Sequence, residues 1–236
     1  VARSLTGLGP FVELATGPAD DGWLPVARLV GDPGVLRERV RGGRAALATM
    51  AGAPPGAVEE RVVTSVVMLG VAARLAAPAV AVATVCDAVL PVAALRWRDG
   101  PPGPVPLLLP VSVGVPTGGS LGVALVDDVL APLVETASTL APLAPPLLWG
   151  NVASAVAGAA GALARARPDL RERAYAVADE LLAHPPLARS GRFDTRRAFS
   201  RRTCCLYYRL PGGGTCGDCP LPPPGLSPSA TMPGCR

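Results

Sequence analysis

The chain has no lysine; all 22 of its basic residues are arginine, which we ascribe to base composition rather than to function. Histidine occurs once, as His184 before two prolines, where it reads as a helix C-terminal cap. One histidine excludes zinc hydrolases that need several, and leaves Ser-His-Asp or Cys-His catalysis with a single candidate base. Aromatics make up only 4% of residues, so the core has to come from Ala, Val and Leu, which favours closely packed helices. Charged residues are 17% against 50% apolar, which excludes a disordered chain. Without lysine or a βαβ context, Gly118-Gly119-Ser120-Leu121-Gly122 is a loop and not a phosphate cradle. The acidic pairs Asp20-Asp21, Glu59-Glu60 and Asp127-Asp128 read as solvated or helix-start charges.

No leader is expected, because residues 1–10 hold one arginine and no sustained apolar core. Two stretches imitate membrane spans. Residues 136–164 carry no charge, but Pro142, Pro145, Pro146, Gly150 and Asn151 interrupt them; residues 62–86 carry only Arg74 and are expected to break at Pro78. Both are read as buried helices, with no transmembrane segment.

The remaining pattern is mainly helical (α+β), a helical domain with a small β-hairpin followed by a short cysteine-rich segment. Asp32-Pro33 is a capped helix start, with Val35, Leu36, Val40 and Leu47 on one face. Val58, Val62, Ser65, Leu69 and Ala72 recur at helical spacing, and a shorter helix is expected after Pro78. Apolar runs at 92–98 and 105–113 flank a Gly/Pro turn and predict a β-hairpin, whose second strand Pro106 and Pro110 should confine to a sheet edge. Helical periodicity resumes over 123–139. Asn151, the only asparagine, reads as an N-cap beside Trp149, with a ligand surface as its functional alternative. Ala153, Ala157 and Gly161 then form a small-residue face, and Leu170, Ala174, Val177 and Leu181 mark a last helix. Residues 187–193 read as a linker.

Cysteine is rare until the end: Cys86 stands alone as a small core residue, and the other five follow residue 203. That clustering argues against a secreted disulfide framework and for a reducing compartment. Cys204-Cys205, ten residues, Cys216, two residues, Cys219 put four thiols within sixteen positions. Such a soft, closed donor set suits zinc or an iron–sulfur cluster; a thiol–disulfide role for Cys216-x-x-Cys219 lacks the βαβ context. Cys235 reads as a spare thiol. Seven arginines fall between residues 189 and 209 (Arg189, Arg192, Arg196, Arg197, Arg201, Arg202 and Arg209), opposed only by Asp194. They suit either a polyanion or a metal centre of negative charge.

With its flanks Arg201-Arg202, Leu206-Tyr207-Tyr208-Arg209 and Gly217-Asp218, this segment resembles the C-terminal motif of the FhuF-like ferric-siderophore reductases. Leu148-Trp149-Gly150-Asn151 with Ala153-Ser154, and Pro185-Pro186-Leu187, resemble that family too. The resemblance implies a [2Fe–2S] cluster on Cys204, Cys205, Cys216 and Cys219. It implies one-electron reduction of Fe(III) in a hydroxamate-type siderophore in the cytoplasm, fed by a donor such as a ferredoxin or flavoprotein; whether the protein is free in the cytoplasm or peripheral to the inner face of the cell membrane is left open by the sequence. Arg201, Arg202 and Arg209 are then expected beside the cluster or at the donor face, Trp149 and Asn151 at the substrate surface, and no nucleic acid is expected. The expected division is a scaffold and siderophore-docking domain at 1–193, a cluster-binding segment at 194–225 and a flexible tail at 226–236. The competing reading is a zinc-stabilised four-cysteine module that binds nucleic acid or an acidic protein.

Overall fold

A computed structural model describes residues 5–100 and 103–221. The expected tail and Cys235 lie outside the described residues. Helix α1 (Val26–Gly31) runs into α2 (Pro33–Met50) at Asp32, whose carboxylate accepts the N–H of Gly34 at 2.8 Å and of Val35 at 3.4 Å. The predicted cap is therefore in place, and Leu36, Val40 and Leu47 are the buried stripe it launches.

Helix α3 (Glu60–Cys86) does not stop where expected. It continues through Pro78 for 27 residues, so the break predicted there is corrected. Proline removes one backbone bond to the carbonyl of Arg74. Apolar residues are buried on all sides of α3, notably Val63, Met68, Leu75, Val80 and Val82, and that packing outweighs the missing bond. Its closest companion is α5 (Pro145–Ala166), which packs in turn on α6 (Arg171–Ala183). A π-helical stretch (Gly122–Leu130) leads into α4 (Ala131–Leu140), as the periodicity over 123–139 predicted. Helices α3 and α5 are long and apolar enough to cross a membrane, but about two thirds of the most apolar stretch of each is buried within the fold. Core helices look the same by that test.

The lone charge in α3 has a structural use. The Arg74 guanidinium donates to the carbonyls of Val105, Phe11 and Glu13, each at 2.6 Å, and ties the segments that lead into the strands Ala15–Gly17 and Leu107–Pro110 to the helix. Burial pulls its pKa down to about 10.

Four short strands form a sheet in the order β1-β4-β3-β2: β1 (Ala15–Gly17), β2 (Leu24–Pro25), β3 (Arg96–Trp97) and β4 (Leu107–Pro110). The antiparallel β3–β4 pair is the predicted hairpin. Its second strand is not at an edge, because β1 pairs with it in parallel, Ala15 opposite Leu108. Pro106 precedes the strand and Pro110 is its last residue, so neither removes a donor from the middle of the ladder.

The expected linker contains half of a second hairpin. β5 (Gly191–Phe193) pairs with β6 (Phe199–Arg201) across residues 194–198. Asp194 makes the turn, its Oδ1 accepting the N–H groups of Arg196 and Ala198 at 2.8 Å each. Phe193 and Phe199 meet edge to face at 5.3 Å. This hairpin delivers Arg201 and the cysteines to the flank of α5.

Candidate metal centre

The four cysteines are free thiols, Cys205 buried and Cys204, Cys216 and Cys219 half-buried. They sit on a loop with little regular structure, so its shape has to be imposed from outside. Leu206 turns through the left-handed region (φ 68°), which aims its N–H at Cys204 Sγ, 3.3 Å away. The Cys-Gly-Asp-Cys turn closes by a bond from the Cys219 N–H to the Cys216 carbonyl at 3.1 Å. The sulfurs fall into two pairs: Cys205 and Cys216 lie 3.5 Å apart, and Cys204 contacts Cys219.

The clamp on this loop is Arg201, with 2% of its surface exposed. Its Nε donates to Asp218 Oδ2 at 2.9 Å and its Nη2 to Asp218 Oδ1 at 2.8 Å, a bidentate pair inside the Cys216–Cys219 turn. Nη1 donates to Asn151 Oδ1 at 2.7 Å and Nη2 to Ser154 Oγ at 2.8 Å, both on α5. The Asn151 amide donates onward to the Ser65 carbonyl (3.0 Å) and Ser65 Oγ (2.9 Å), and Ser65 Oγ donates to the Cys205 carbonyl at 2.8 Å. A closed polar circuit thus runs from β6 through α5 and α3 to the first cysteine pair.

Gly150 explains the other half of the attachment. A Cβ at that position would collide with Thr203 Oγ1, so only glycine lets the loop lie this close to α5. Thr203 uses the approach to donate to the Pro146 carbonyl at 3.0 Å. Farther along, Arg209 holds Glu59 at the start of α3 through two bonds of 2.9 and 2.7 Å.

The charges are arranged around sulfur. Burial pulls the Arg201 guanidinium down, but the Asp218 carboxylate and the Cys205 and Cys216 sulfurs more than offset it, and its pKa ends raised. Burial would raise the Asp218 carboxyl, yet Arg201 and Ser154 hold it below its ordinary value. The thiols go the other way. Burial pushes Cys204 up to about 11 against the help of the Leu206 N–H, and pushes Cys216 up against the pull of Arg201. Burial thus disfavours the thiolate at Cys204 and Cys216, and a bound cation would reverse that preference. Among the described residues, no three His, Cys, Asp or Glu side chains converge as on a single ion. Two sulfur pairs beside a buried cation fit a two-metal, sulfide-bridged group better than one tetrahedral zinc.

Several expectations change at this point. Asn151 is fully buried within α5 and is not an N-cap; Ala144 holds that position. The Asn151 amide is spent on Arg201 and Ser65, while Trp149 is half-buried against the core. His184 ends α6 as expected and also meets Asp127, with Nε2 3.0 Å from both carboxylate oxygens. Arg202 is exposed. The arginine run is partly neutralised within the fold, since Arg197 pairs with Asp179 at 2.7 Å and Arg201 and Arg209 pair as described. Ser65, Ser154 and Thr203 were given no site role from sequence. The signal available was polar residues at helical spacing, Asn151 and Ser154, on one face of an otherwise apolar helix.

This architecture defines a mainly helical protein carrying a C-terminal four-thiol centre locked to its core by a buried arginine. Residues 201–221 match the FhuF 2Fe-2S C-terminal domain. That domain implies a [2Fe–2S] cluster and suggests an iron–sulfur, siderophore-related reductase. No curated protein and no solved structure matches the chain.

Proposed function

We propose that the chain is a ferric-siderophore reductase of the cytoplasm, acting on iron held by a hydroxamate-type chelator, with Cys204, Cys205, Cys216 and Cys219 as the cluster ligands. Held by these residues, a [2Fe–2S] cluster would supply one-electron transfer from a ferredoxin or flavoprotein to chelated Fe(III), whose reduced form, Fe(II), hard hydroxamate oxygens hold far less tightly. The observation that carries this reading is the pairing of four thiols around a buried Arg201 within the matched segment.

In this reading Cys204, Cys205, Cys216 and Cys219 would together hold the cluster. The buried guanidinium offsets the negative charge of a thiolate-ligated centre, and the Leu206 N–H to Cys204 adds a hydrogen bond to sulfur; both favour the reduced form. No acid–base residue is required, which accords with a chain of one histidine. Arg189, Arg192, Arg196 and Arg202 are exposed and have no ion-pair partner among the described residues, so they offer an acidic electron donor a docking face. The division we propose is a scaffold and docking domain at 1–193, a cluster-binding segment at 194–225 and a tail at 226–236.

Anaerobically purified protein should be red-brown, contain two irons per chain, bleach under dithionite and give an EPR signal when reduced. Cys204→Ser or Cys219→Ser should abolish both iron retention and turnover. A colourless protein with stoichiometric zinc would overturn the proposal.

A further inference from the structure

Between α5, α6 and the β5–β6 hairpin the fold leaves a groove of about 380 Å³, within the roughly 300–1,000 Å³ range of small-molecule sites. Its floor is the small-residue face of α5, Ala157, Gly158 and Gly161, which leaves a hollow instead of filling it. The aromatic wall is Tyr175, Phe193 and Phe199, each ring edge-on to the next at 5.3 Å. One end is made by Gly217 and Asp218, the two residues between Cys216 and Cys219. An occupant would therefore touch the backbone that carries the thiols.

The two cations at this groove differ. Arg197 is committed, paired with Asp179 and stacked over Tyr175 and Phe193. Arg165 is exposed, lies over Gly161 and has no ion-pair or hydrogen-bond partner among the described residues. Asp218 is neutralised by Arg201, so the uncompensated charge in the groove is the positive one of Arg165.

We propose that this groove seats the ferric chelate. A hydroxamate complex would lay its methylene arms on the Phe193–Phe199 wall and turn the electron-rich oxygens of its charge-neutral coordination shell to Arg165, with the iron toward Gly217. This rests on the reductase reading and adds the place where its substrate binds. The concave, mixed apolar and cationic lining suits a small chelate, whereas a protein donor needs a broad face of about 800 Å². Ser154 and Gly158 also line an apolar slot of about 370 Å³ between α3, α5 and residues 8–12, which gives the arms room to extend.

The test uses a redox-inert probe, the gallium(III) complex of a linear trihydroxamate, titrated calorimetrically into cluster-loaded protein. Gly158→Leu is the blocking variant. Nothing lies within 4 Å of a Cβ there, and leaving glycine strengthens the helix, so the groove fills while the fold stands. Arg165→Ala removes the free cation. Both variants should keep the wild-type cluster absorbance yet weaken gallium-complex binding tenfold or more, and raise by a similar factor the ferric-complex concentration that half-saturates reoxidation of the dithionite-reduced protein. Unchanged gallium binding in both variants would overturn the groove assignment, as would loss of reduction by a ferredoxin with chelate binding intact. If wild-type protein reduces the ferric complex but does not bind the gallium one, the groove fails and the reductase stands. If it does neither, both fail together.

Discussion

Removing the Asp218 carboxylate should unfasten the cysteine loop from the core. In Asp218→Ala, Arg201 keeps its bonds to Asn151 and Ser154 but loses both bonds of its ion pair while remaining buried. Breaking a buried pair from one side costs about 3–5 kcal/mol, because the surviving charge is left without its partner. The Asp218 side chain keeps 17% exposure against 1% for Arg201, so water can relieve part of that cost and the lower end, about 3 kcal/mol, applies. At roughly 2–4 °C per kcal/mol for a chain of this size, the melting temperature should fall by about 6–12 °C. Urea denaturation of metal-stripped, reduced protein is the suitable assay, since cluster loss then contributes nothing. Arg201→Met and the double variant complete a cycle, and the coupling between the two sites should reach about 2 kcal/mol. Additivity within about 0.5 kcal/mol, or an Asp218→Ala variant within about 1 kcal/mol of wild type, would refute the claim that this pair is a buried clamp.

Gly150→Ala should destabilise by about 1–3 kcal/mol despite its better helix propensity, because the methyl group displaces Thr203, and should speed labelling of Cys204 by a thiol reagent; adding Thr203→Ala should restore wild-type behaviour. The Asp32 carboxyl is held below 3.8 by the Arg28 hydrogen bond and then by the Gly34 and Val35 N–H groups. A carboxyl depressed in the folded state lends stability above its unfolded value and loses it as pH falls through the folded one. Asp32→Asn should therefore flatten the acid limb of the stability–pH profile below about pH 4, and an unchanged limb would exclude this cap as a contributor.

Much of the fold was legible because it depends on neighbours close in the chain. Asp32-Pro33 caps α2 by bonds to residues two and three positions on, and the 96–110 hairpin follows from apolar runs around a turn. The failures share a cause. Local propensity penalises Pro78 and predicts a break, whereas its cost is absorbed by α5 and α6 packed against α3. Asn151 lacks the cap its residue type predicts because the helix starts at Pro145, leaving the amide nearly two turns inside. The β5–β6 hairpin was missed because three-residue strands carry too little alternation to register.

Taken alone, the order of residues determined the helical class, the single histidine and the four sulfurs with their spacing, since each is a property of composition or of short segments. Tertiary structure alone decided that the sulfurs divide into two pairs, that Arg201 is buried between Asp218 and Asn151, and that a groove opens beside Gly217. Those facts join residues 65, 151, 201 and 218, which only the packing of α3 against α5 brings within hydrogen-bonding distance. A bond of 3 Å between groups up to 140 positions apart leaves no periodic trace in a sequence, so the clamp became visible only once the helices had met.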